Sequence, residues 1–84
     1  MPEISRFYGI VIKMFFRRKE HNPPHFHAIY GEYVSEFDIN TLDVIIGDLP
    51  AKAVALVKEW GALHQKELMS IWDNQSFEKI TPLE

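Results

Sequence analysis

The sequence predicts an α+β domain: a small antiparallel β-sheet of three to five strands packed against one long C-terminal α-helix. Three observations carry this expectation. Residues 7–16 are dense in β-branched and aromatic side chains. Two short alternating runs meet at Gly31-Glu32, and the stretch from Pro50 to about Asp73 repeats its apolar residues with helical period.

Residues 7–16 (Phe-Tyr-Gly-Ile-Val-Ile-Lys-Met-Phe-Phe) are apolar on both faces, which predicts one strand that is central or covered on two sides. Arg17 to Glu20 carry the chain to solvent. Pro23 and Pro24 cannot donate backbone hydrogen bonds, and each disfavours a helical predecessor, so residues 17–24 read as a loop with a stiff end. Residues 25–30 and 33–39 are the next two strands. Glycine at the first central position of a two-residue connection suits a type II′ turn. That turn sets Tyr30 opposite Tyr33, Ala28 opposite Ser35 and Phe26 opposite Phe37 on one face. The other face then holds Ile29 opposite Val34, His27 opposite Glu36 and His25 opposite Asp38.

A further short strand is expected at residues 43–46, and Gly47-Asp48-Leu49-Pro50 ends it. Asp48 suits an N-cap and Pro50 the first helical turn, so one helix should run from there to about Asp73, roughly 35 Å at 1.5 Å per residue. Its apolar stripe collects Ala53, Val57, Trp60, His64, Leu68 and Ile71. His64 lies near the middle of that stripe and is expected to bond Tyr30, Ser35 or Glu67, since a buried polar group without a partner costs about 1–3 kcal/mol. Trp60 and Trp72 read as packing residues. Phe77 to Leu83 suggest a last edge strand.

The 84 residues fit a single domain spanning positions 1–84. A domain this size buries only roughly 60% of the surface its unfolded chain exposes, so its stability is modest. An apolar fraction of 46% still supplies a core. The absence of cysteine excludes disulfides and thiolate metal sites, the usual staples of small secreted proteins. The first residues lack the charged-then-apolar pattern of a signal peptide, and no apolar run approaches the roughly 20 residues that span a bilayer. A cytoplasmic protein away from membranes is the expectation.

Net charge is −3, from nine basic and twelve acidic side chains, which is not the basic excess of a non-specific nucleic-acid binder. The charge is uneven, however. Lys13, Arg17, Arg18 and Lys19 precede an acidic middle of Glu32, Glu36, Asp38, Asp43 and Asp48. Two readings are open: ordinary surface charge, or a local basic patch beside the histidines that meets phosphate or an acidic partner.

Several motifs together resemble one family nearly from end to end. They are Met1-Pro2-Glu3-Ile4, Gly9-Ile10-Val11-Ile12, His21-Asn22-Pro23-Pro24-His25-Phe26-His27 and Tyr30-Gly31-Glu32-Tyr33. Leu49-Pro50, Glu59-Trp60, Leu63-His64, Glu67-Leu68, Trp72, Ile80 and Pro82-Leu83 continue the match. On these the chain resembles the small bacterial family catalogued as domain of unknown function 4160. The resemblance implies no established activity. Members look like small genes often found beside another short family, domain of unknown function 2442, and that pairing implies a protein partner and a toxin–antitoxin role. A family name does not supply a reaction.

The histidines therefore carry three readings. His25 and His27 lie two apart in a strand and project to one side, as metal ligands do, with Asp38 or Glu36 opposite and His21 within loop reach. The alternation puts that face away from the helix and from His64, so such a site would be weak, and no cofactor is expected. In the structural reading His25 pairs with Asp38 and His27 with Glu36 to fix strand register. In the catalytic reading His21 and His25, with Arg17, Arg18 and Lys13 on phosphate, serve a ribonuclease-type toxin that needs no metal. No nucleophile elbow or phosphate-cradling glycine loop accompanies them. The leading expectation is a non-catalytic protein-interaction module, with the alternative a histidine-dependent nuclease or a weak metal-binding protein. Its partner-binding surface is expected at Arg17, Arg18, His21, Asn22, His25 and His27. The partner is a protein or RNA, and self-association is compatible with the sequence.

Overall fold

The computed structural model describes residues 3–14, 23–74 and 78–83. Its sheet starts with a hairpin that the sequence reading took as one strand. β1 (Glu3–Phe7) and β2 (Ile10–Lys13) run antiparallel with Phe7 opposite Ile10. Tyr8 and Gly9 form the reversal at φ +51° and +80°, the two positive values of a type I′ turn. The expectation of a single strand over 7–16 is corrected here, although residues 15 and 16 lie outside the described residues. A tyrosine rarely takes positive φ, so nothing in an unbroken apolar run announced the turn.

The next hairpin follows expectation. β3 (His25–Tyr30) and β4 (Tyr33–Asp38) pair in the register set by the Gly31-Glu32 turn, from Tyr30 opposite Tyr33 to His25 opposite Asp38. Gly31 sits at φ +62°, as the first position of a type II′ turn demands. β5 (Val44–Gly47) adds antiparallel to β4, with an irregularity between Glu36 and Phe37. The result is one antiparallel sheet in the order β1-β2-β3-β4-β5.

One face of this sheet makes the core. Ile10, Ile12, Phe26, Ala28 and Phe37 are buried there together with Ala53, Val57 and Trp60 of the covering helix. Phe26 stacks on Phe37 with centroids 5.4 Å apart, and the Trp60 ring meets Phe7 at 5.4 Å and Phe26 at 5.9 Å. Such pairs add about 0.5–1.5 kcal/mol each beyond their burial. The Trp60 indole Nε1–H donates to the Thr81 carbonyl at 2.9 Å, so its polar atom is satisfied.

The single long helix is corrected to two, α1 (Ala51–Leu63) and α2 (Gln65–Asn74). His64 stands between them at φ −125° and ψ 22°, and its N–H bonds the Gly61 carbonyl at 3.1 Å. Its own carbonyl accepts from Leu68 N–H at 2.9 Å and so starts α2. The cause of the break is tertiary. The Gln65 side-chain amide donates to the carbonyls of Ile39 (2.7 Å) and Asn40 (2.8 Å), anchoring the chain to the turn after β4. The apolar stripe nevertheless continues across the bend, with Leu68 and Ile71 buried.

The helix start is also corrected. Pro50 is the N-cap and no side chain caps it, so Asp48 does not play the expected part. Leu49 explains why. Its side chain is buried and its N–H donates to the Ser35 hydroxyl at 3.0 Å, which fixes the chain to the sheet and leaves Asp48 before the anchored point.

Residues 78–83 form no strand, against the expectation for the segment after the helix; Phe77 lies outside the described residues. Ile80 is buried and its N–H donates to the Ile4 carbonyl at 2.9 Å, a single backbone bond along β1. On β1 itself, hydrogen bonds from the Arg6 guanidinium hold the Glu3 carboxyl below its ordinary range. The pair is exposed and adds little stability. No helix among the described residues is long and apolar enough to cross a membrane.

Candidate functional site

Pro24 ties the start of β3 to the end of β4, because its carbonyl accepts the Ile39 N–H at 2.9 Å. That bond sets His25 at the head of a paired strand, and alternation sends His27 to the same side. Glu36 on β4 reaches both. Its Oε2 lies 3.4 Å from His27 Nε2 and its Oε1 lies 3.7 Å from His25 Nε2. The imidazole centroids are 5.4 Å apart, and one donor atom from each of the three residues falls within 4.8 Å of the others.

Asp38 is not part of this cluster. It stands opposite His25 along the backbone, as expected, but its Oδ1 accepts the N–H groups of Asn40 (2.7 Å) and Thr41 (3.2 Å). Asp38 opens a turn, and an aspartate there bonds its own downstream backbone. The sequence held that signal in Asp38-Ile39-Asn40-Thr41; it held none that one carboxylate would serve both imidazoles.

The face is also less open than alternation implied. α2 brings Trp72 to 5.3 Å from the His25 ring, and the two histidine side chains are only 13% and 16% exposed. Glu36, at 34%, is the side of the cluster nearest water. His64 stays apart from it. Its Nδ1 pairs with Glu67 Oε1 at 2.5 Å and its ring packs on Trp60 at 5.5 Å, so of its three expected partners the structure selects Glu67. Arg17, Arg18, Lys19, His21 and Asn22 lie outside the described residues. Lys13 stands opposite His27 on β2.

A second surface adjoins the first. Ile46 stands opposite Glu36, which stands opposite His27, so one row runs from the histidines to the sheet edge. All four residues of β5 are exposed, Ile46 by 63% and Ile45 by 45%, and exposed Val34 extends the apolar patch onto β4. Sequence reading missed this surface, because a run as short as Val44-Ile45-Ile46 does not distinguish a buried strand from a bare edge. At the far end of β3, Tyr8, Tyr30, Pro50 and Leu56 help to line an apolar groove of about 240 Å³. That is below the roughly 300 Å³ at which small-molecule pockets begin.

No curated protein and no solved structure matches the chain. The family described as "Domain of unknown function (DUF4160)" matches over residues 9–73, which takes in the histidine pair, Glu36, the β5 edge and Trp72. The match covers well over half of the 84 residues, and the chain belongs to the DUF4160 family.

Proposed function

We propose that this protein is a non-catalytic protein-interaction module that receives an extended segment of a partner protein along β5. One observation supports the reading above others: the edge strand is exposed throughout and carries Val44, Ile45 and Ile46 side by side. Exposed edges are normally blunted by charge, proline or a covering segment. β1 follows that rule, since Ile80 lies against it. Among the described residues nothing covers β5, and an added strand would pair with its backbone while burying its side chains.

The partner is a protein encoded by an adjacent gene of the domain of unknown function 2442 type, in a toxin–antitoxin-like pair. Arg17, Arg18, His21 and Asn22 belong to the same partner surface in this reading, because they adjoin His25 in sequence and the prolines lower the entropy lost on binding. Co-expression with the neighbouring gene, followed by size-exclusion chromatography with light scattering, tests it. The expected outcome is a stable mixed complex that Ile45→Lys abolishes, while the melting of the variant stays within about 0.5 kcal/mol of the parent. Growth arrest by this protein alone, relieved by the neighbour and lost in His25→Ala, would replace the module with a histidine-dependent nuclease.

A further inference from the structure

We infer that His25, His27 and Glu36 form a binding site for one zinc-class divalent ion, with a coordination position open to solvent. The tautomer of His25 is the first argument. Its Nδ1 lies 3.0 Å from the Pro23 carbonyl, which only accepts hydrogen bonds, so Nδ1 carries the hydrogen. In the neutral ring Nε2 then presents a lone pair, and that lone pair faces Glu36. A ring nitrogen oriented by a backbone carbonyl on its other side is the usual support of a metal-ligating histidine.

Spacing is the second argument. The His25 Nε2 lone pair and the Glu36 carboxylate repel unless a positive charge sits between them. A proton would draw the partners to about 2.7–2.9 Å, the length of a charge-assisted N–H···O bond. The observed 3.4 and 3.7 Å are longer. They lie close to the roughly 3.3 Å between two ligand atoms that each stand about 2.0–2.1 Å from a tetrahedral ion.

Donor chemistry and surroundings agree. Two imidazoles and one carboxylate suit zinc, copper or nickel and not magnesium or calcium. Three protein ligands leave a fourth position, and the exposure of Glu36 puts that position toward water. Trp72 walls off the His25 side, which strengthens the attraction between ion and ligands by excluding solvent. Lys13, opposite His27, opposes a cation and weakens the site without filling it.

Trp72 also supplies the readout. Tag-free full-length protein is titrated with zinc by calorimetry and by melting, and with copper by tryptophan fluorescence. One ion per chain should bind, the melting temperature should rise with zinc concentration, and copper should quench the indole beside His25. His27→Ala and Glu36→Gln should each weaken zinc binding by more than the roughly 10–100-fold that loss of a supporting hydrogen bond costs. Both variants are checked by circular dichroism, and the stoichiometry of the parent protein stands whether or not a variant folds. His64→Ala should leave affinity unchanged, since His64 pairs elsewhere, and magnesium should shift nothing. The inference is overturned if no saturable zinc binding occurs at millimolar metal, or if Glu36→Gln binds as the parent does.

Discussion

Two glycines respond in opposite ways to the addition of one methyl group. Gly47 sits at φ +119°, and a Cβ there would lie 2.3 Å from the Val34 carbonyl oxygen and 2.5 Å from Ser35 Cα. Both are backbone atoms of a paired strand and cannot yield. Gly47→Ala therefore combines strain and overpacking of about 1–3 kcal/mol each, enough to unfold much of a small domain. Gly61 is different. Its added Cβ would meet Leu42 Cδ2 at 2.8 Å, the far end of a flexible side chain. Moving Leu42 offsets the roughly 1 kcal/mol that alanine gains over glycine in a helix, so Gly61→Ala should stay within about 1 kcal/mol of the parent. Thermal melting of the two variants checks the contrast, and a Gly47→Ala protein that melts like the parent would contradict the close approach of β5 to β4.

At the level of elements, legibility followed how locally each feature is determined. The β3–β4 register was readable because Gly31 alone selects the turn, and the turn fixes every pair from Tyr30 to His25. The shared side of His25 and His27 came with it. The first hairpin was not readable, because its turn asks Tyr8 for a conformation that tyrosine rarely takes. The bend at His64 was hidden for a different reason. The stripe from Ala53 to Ile71 keeps helical period across it, and the bonds that break the helix come from Gln65 to a turn more than twenty residues away. Trp72 could not be placed at the histidines without that bend. The helix start gives a direct test of the correction. An N-cap aspartate replaced by alanine costs about 1 kcal/mol, whereas an exposed residue away from such features changes stability by about 0.5 kcal/mol or less. Asp48→Ala should fall in the second class by urea denaturation, and Ser35→Ala, which strands the Leu49 N–H, should cost about 1–3 kcal/mol.

For the whole molecule, the five strands follow one another in sequence order, so each strand pairs with its chain neighbour and the sheet asks for no long crossover. Both ends of such a meander are potential edges, and the fold treats them unequally. The segment around Ile80 lies against β1, while β5 carries nothing comparable among the described residues. That inequality sets the geometry of any self-assembly. A subunit with one reactive edge can join a second subunit across a two-fold axis, and growth then stops because the edge is used up. A subunit with two reactive edges has no such stopping rule and adds copies end on end into a filament. If copies of the chain pair through β5, the contact between Ile80 and Ile4 would act as a chain terminator in the polymer sense and stop growth at two. Ile80 is buried and directly precedes Thr81, whose carbonyl accepts from Trp60, so Ile80→Lys is compared with the parent only after circular dichroism shows that the variant folds. Light scattering against concentration should show at most a doubling of mass for the parent and continued growth for Ile80→Lys, and adding Ile45→Lys to that variant should stop the growth again.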